Sequence, residues 1–169
     1  MSNALMKKYE KIIPEVIVGI GDNTEYYPTE FIEGQKRVIT KLHIQLEDWL
    51  GDDLMEIYPC YIVTQQLKEA LENNSFIGFT FAETEVTEDE YFEDNYQLKK
   101  PRPDFFWIKI AGIKGQDDLY INEGALNISE NLLKFIKDNF IITYAKINPE
   151  RDEFDDLLAQ MIKDSKKKE

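Results

Sequence analysis

Two stretches of this chain, 52–86 and 117–147, read as copies of one unit. Asp52-Asp53-Leu54 returns 65 positions later as Asp117-Asp118-Leu119, and Thr64, Leu67, Leu71 and Asn74 return at that same offset as Ser129, Leu132, Ile136 and Asn139. After a one-residue deletion, Phe76-Ile77 returns as Phe140-Ile141. Spacing kept over so long a run points to a repeated supersecondary unit, whose copies stack to bury a face that neither can bury alone.

Each copy predicts the same course. In the first, 60–63 is a short strand running into Thr64, whose hydroxyl can cap a helix that starts at Gln65. Leu67, Ala70 and Leu71 give that helix one apolar stripe, Asn73-Asn74 ends it, and 76–86 returns as a strand with Phe79 and Phe81 two apart. In the second, 125–128 is the strand, Ser129 the cap, and Leu132, Leu133 and Ile136 the stripe; Asp138-Asn139 is the stop and 140–147 the returning strand. Both units read strand, helix, strand.

Outside the copies, 15–20 reads as a β-branched strand closed by the turn Gly21-Asp22-Asn23. Residues 38–46 place Leu42, Ile44 and Leu46 on one face and Lys41, His43 and Gln45 on the other, a half-buried strand with its histidine outward. Residues 104–112 alternate with both faces largely apolar, which suits a central strand. The C-terminal segment carries the strongest helix pattern: Asn148 as cap, Pro149 in the first turn, then Phe154, Leu157, Leu158, Met161 and Ile162 along one stripe. Such a helix docks on its own core or on a partner. The expected fold is therefore α+β, a single domain over 6–165 with a mostly antiparallel or mixed sheet, the two repeated units and a C-terminal amphipathic helix. Ser2-Asn3-Ala4 reads as a cloning scar, so 1–5 are set aside, and 166–169 read as a frayed tail.

Composition narrows the function classes. A hydrophobic content of 43% with 10 Phe and 9 Tyr supports a real core in 169 residues. The 33 acidic and 20 basic side chains leave a net charge of −13, which repels phosphate backbones and disfavours a nucleic-acid partner. A basic protein would be attracted; solubility alone is the other reading of this charge. With Cys60 alone, no intrachain disulfide and no cysteine-built zinc site can form, and a reducing cytoplasm fits. No apolar run approaches a membrane span, so no membrane partner is expected. No cofactor motif is present, and none is expected.

Three places could hold chemistry. Asp52, Asp53, Asp117 and Asp118 could converge on a divalent ion, with His43 in support as a general base, the constellation of a metal-dependent hydrolase. Alternatively each pair makes local turn hydrogen bonds beside Gly51 and Gly115. The acidic connection between the copies, 87–100, reads as an exposed loop or short helix, because Glu83, Glu85, Glu88, Asp89, Glu90, Glu93 and Asp94 cannot be buried without partners. Tyr91, Phe92 and Tyr96 interleave with these carboxylates, the residue mix of an interface hot spot with a charged rim. The same aromatics could instead pin the segment to the core.

Gly51-Asp52-Asp53-Leu54, Pro59, Tyr61-Ile62-Val63-Thr64, Leu67, residues 78–81, Phe106-Trp107-Ile108, residues 115–119 and residues 126–132 together resemble a family of bacterial proteins, the predicted immunity proteins of polymorphic toxin systems. The likeness spans about residues 37–147 and rests on short, mostly structural motifs. It implies a cytoplasmic antidote that binds a cognate toxin and blocks it by occlusion, without turnover. A scaffold or regulatory domain that pairs through its C-terminal helix is the remaining class. The sequence sets no oligomeric state.

Overall fold

The structure, a computed structural model, describes residues 6–16, 18–149 and 160–165. The chain opens with β1 (Tyr9–Ile13), β2 (Val18–Ile20) and β3 (Glu25–Tyr27), then β4 (Val38–Lys41) and β5 (His43–Leu46). The expected strand over 38–46 is thus two strands that part at Leu42 and serve different sheets, β4 beside β3 and β5 beside β2. A hairpin of β6 (Leu54–Ile57) and β7 (Cys60–Thr64) leads into α1 (Gln65–Glu72); β8 (Phe79–Glu83), β9 (Glu85–Glu88) and the short α2 (Phe92–Asn95) follow. Next come β10 (Phe105–Ile110), a second hairpin of β11 (Leu119–Asn122) and β12 (Ala125–Ser129), α3 (Glu130–Asn139) and β13 (Lys146–Ile147). Helices and mainly antiparallel sheets make one small α+β domain.

The sheet ordered β6-β7-β10-β8 is the middle layer. Its strands present alternate residues to two cores. Leu54, Tyr61, Val63 and Ile108 face one way, into a core closed by Leu67 and Leu71 of α1, Leu132, Leu133 and Ile136 of α3, and Ile12, Leu126 and Ile128 of the sheet β11-β12-β1-β13. Met55, Ile57, Cys60, Ile62, Phe105 and Trp107 face the other way, against Val18, Leu42, Ile44, Leu46, Trp49 and Phe92. Being covered on both sides explains why β10 is apolar on both faces and why it sits between β7 and β8.

Both helices start as expected. Thr64 accepts from the Leu67 amide and Ser129 from the Leu132 amide, each satisfying one donor of a first turn. The returning strands depart from expectation. After α1, β8 ends at Glu83 and the chain changes sheets; after α3, 140–147 holds a turn and only the two residues of β13 pair, with β1. The second unit is therefore a hairpin and a helix with no full strand behind it. The reason is that Ile141, Thr143 and Tyr144 give their amides to aspartates instead of to a sheet.

Asn148, expected as a helix cap, accepts from the Lys11 amide (2.8 Å) and donates its own amide to the Lys11 carbonyl (2.7 Å), so it extends the pairing of β13 with β1. Phe154, Leu157 and Leu158 of the expected terminal stripe lie outside the described residues. Residues 160–165 are helical, with Met161 and Ile162 exposed. Among the described residues no helix is long and apolar enough to cross a membrane.

Candidate functional site

The acidic connection is built from a change of sheet. At Thr84 the chain leaves the central sheet: the Thr84 hydroxyl donates to the Leu42 carbonyl (2.8 Å), and the Glu85 amide donates to the same oxygen (3.0 Å). From there β9 runs parallel to β5, with His43 opposite Glu85 and Leu46 opposite Glu88. The Asp89 amide continues the ladder to Leu46, and the Asp89 carboxylate accepts from the Tyr91 amide (2.9 Å) to open α2. So the first part of the acidic run, 85–88, is the edge of a sheet, and the rest is the turn into α2 and α2 itself.

The aromatics divide the two readings between them. Phe92 is buried in the core and stacks on the half-buried Tyr96, with ring centroids 5.1 Å apart, while Asn95 donates to the Glu47 carbonyl. These side chains pin the segment. Tyr91 is 59% exposed and stands among carboxylates. Glu85 is half-buried, accepts from Asn23 and lies 3.8 Å from Lys41; Glu88 pairs with Arg102 at 2.7 Å. Glu83, Glu90, Glu93 and Asp94 are exposed and have no cationic partner among the described residues.

The aspartate pairs do something else. Asp53 is 1% exposed, and its carboxylate accepts from the Thr64 hydroxyl (2.6 Å), the Gln66 side chain (2.9 Å) and the amide of Ile141 (2.8 Å), far along the chain. Asp118 does the converse, accepting from the Ser129 hydroxyl (2.8 Å), Lys7 (3.1 Å) and the Ile77 amide (2.9 Å). Each also donates its own amide to the carbonyl of the residue it holds, Ile141 for Asp53 and Ile77 for Asp118. The first hairpin thereby clasps the segment after α3, and the second clasps the segment after α1.

Asp52 accepts from the amides of Thr143 (2.9 Å) and Tyr144 (3.0 Å), and Asp117 from the amide of Ile113 (2.6 Å). The Asp117 bond is a local turn contact, as one reading expected; those of Asp52, Asp53 and Asp118 are long-range, which neither reading foresaw. Among the described residues no group of three or more His, Cys, Asp and Glu side chains is placed to hold a metal ion. The oxygens that a shared ion would need already accept hydrogen bonds from amides and hydroxyls.

His43, expected on the surface, is buried. Its Nδ1 accepts from the Asn23 amide (3.1 Å), which leaves the proton on Nε2 to be donated to the Thr87 hydroxyl (2.7 Å). The ring lies flat on Gly21, where a Cβ would stand 2.1 Å from Nδ1. A polar face becomes an interior one here because the turn after β2 and strand β9 both close over it. Cys60 is buried, and burial pushes its thiol up to about 11, with Lys109 pulling the other way.

One carboxyl is poorly accommodated. Glu15 has its pKa raised, first by burial and then by the charges of Asp52 and Asp48, and its buried Oε2 has no hydrogen-bond partner. A raised carboxyl holds its proton more tightly in the folded state than in the unfolded one. Its contribution to stability is therefore full below the unfolded-state value and lost as pH rises through the folded-state value. Glu15→Gln should raise the melting temperature at pH 7 and leave it unchanged at pH 3, where the native carboxyl is neutral in both states. Equal gains at both pH values would mean that charge has no part in it.

The sequence reading missed a cleft of about 550 Å³ lined by Lys36, Arg37 and Lys109. No local signal marks it, because Lys36 and Arg37 lie just ahead of β4 while Lys109 stands on β10, some seventy residues later. Compared with known protein families, with curated proteins and with solved structures, the chain matches none.

Proposed function

We propose that this chain is a non-catalytic binding protein of the immunity type, which neutralises a cognate bacterial toxin in the cytoplasm by covering its working surface. The observation that carries this reading is the acidic edge formed by β9 and α2. Its backbone is held in the β5 ladder and by buried Phe92, while Glu90, Glu93 and Asp94 and the ring of Tyr91 stand outward. A preorganised surface of one charge sign speeds encounter with a basic partner and loses little entropy on binding. The resemblance over about residues 37–147 supplies the class of that partner, a toxin domain.

The test looks for a toxin gene next to the one for this chain and pairs the two purified proteins. Binding is expected to be nanomolar at low salt and to weaken steeply as ionic strength rises. The triple variant Glu90→Lys/Glu93→Lys/Asp94→Lys, all exposed positions, should fold normally by circular dichroism and bind at least about 100-fold more weakly. No complex at low salt, or an undiminished complex with the triple variant, would overturn the proposal.

A further inference from the structure

We propose that the cleft between the β3–β4 arm and the C-terminal end of β10 binds a small anion with a flat apolar body, of the size of an aromatic carboxylate. Its volume of about 550 Å³ falls in the range of small-molecule sites, and its walls are mostly apolar or aromatic, Tyr26 and Trp107 among them. The charged side chains that line it are Lys36, Arg37 and Lys109, with no carboxylate. On a chain with 33 acidic and 20 basic side chains, a concave patch of cations alone runs against the average surface. Low-dielectric walls strengthen the field of those cations inside the cleft, so the site attracts the anions that the rest of the molecule repels.

The cations are also placed for recognition. Arg37 donates from Nε to the Pro28 carbonyl (3.3 Å) and from Nη2 to the Thr29 carbonyl (3.0 Å), and its guanidinium lies 4.2 Å from the centre of the Tyr26 ring. Held in this way, it keeps Nη1 without an acceptor among the described residues, a donor ready for a carboxylate. Lys109 has its ammonium 4.8 Å from the centre of the Trp107 ring, and neither it nor Lys36 forms an ion pair among the described residues. A flat body would lie against the aromatics while its anionic end meets Arg37 and Lys109.

Indole-3-acetate and tryptamine share a ring system and carry opposite charge, so the pair separates charge recognition from greasy contact. In two-dimensional amide NMR titrations, indole-3-acetate is expected to shift the signals of Arg37 and Lys109, and tryptamine at the same concentration to leave them in place. Lys109→Gln, at an exposed position whose side chain makes no hydrogen bond in the described structure, should preserve the fold and weaken indole-3-acetate binding about tenfold. Equal binding of both compounds, binding of neither, or full affinity in Lys109→Gln would overturn the assignment.

Discussion

Asp53→Ala is expected to destabilise the protein by about 3–5 kcal/mol, the loss that follows when one side of a buried, charged hydrogen-bond set is removed. For a chain of this length that corresponds to a fall in melting temperature of about 6–20 °C. The carboxylate serves three donors, and the Thr64 hydroxyl among them cannot turn to water once it is gone: Asp53 is 1% exposed and Thr64 equally so. The Thr64 hydroxyl accepts from the Leu67 amide while donating to Asp53, so the carboxylate also orients the cap of α1. Ile141 loses its amide's acceptor, and the segment behind α3 loses one of the bonds that hold it to the first hairpin.

Asp53→Asn sharpens the test. An asparagine oxygen can still receive the Thr64 hydroxyl, but its amino group then faces the Ile141 amide, donor against donor, and about half the loss should remain. Asp118→Ala should behave like Asp53→Ala, through Ser129, Ile77 and Lys7. Urea or thermal unfolding reads all three. Losses within about 1 kcal/mol for both alanine variants would show that the clasps are incidental to stability.

The second large effect is expected at Gly112. A Cβ built there stands 1.7 Å from the Leu119 carbonyl oxygen and 2.9 Å from the Asp117 Cβ, and the first of these is backbone, which cannot rotate aside. Gly78 meets the same loop from the neighbouring segment, with a Cβ that would stand 2.7 Å from the Leu119 oxygen at a φ of +110°. Between them the Ala111 amide donates to Gly78 and the Asp118 amide to Ile77, so three stretches of backbone lie in direct contact. Gly112→Ala must part these bonds or distort β11, and a loss of about 3 kcal/mol or more is expected. A soluble, folded Gly112→Ala variant with a near-native melting temperature would mean that the loop gives way easily, and would weaken the claim that residues 117–119 are rigidly seated.

Much of this fold was legible in the chain because the signals are local. Thr64 and Ser129 cap helices wherever an extended strand meets an apolar stripe, and Leu67, Leu71, Leu132 and Ile136 turn inward by helical spacing alone. The inward alternation of Leu42, Ile44 and Leu46, and the two apolar faces of β10, follow from the period of a strand. Phe92, Tyr91 and the surrounding carboxylates were visible as an unusual mixture. Which of them pins the segment and which faces outward was not, since that depends on where α2 packs.

Sequence by itself determined the elements with local causes: the caps, the stripes, the strand periods, the excess of carboxylates and the recurrence of aspartate ahead of each hairpin. Only the tertiary structure decided what those aspartates do, because their partners lie dozens of residues away and an amide at Ile141 or Ile77 carries no mark in the sequence. The same holds for His43, which has a polar-face pattern yet is buried once β9 and the turn after β2 close over it. It holds as well for the cleft, whose cations at 36, 37 and 109 meet only when the β3–β4 arm folds toward β10. Local propensities act through neighbours along the chain, whereas burial and charge environment act through neighbours in space, and here the candidate sites depend on the latter.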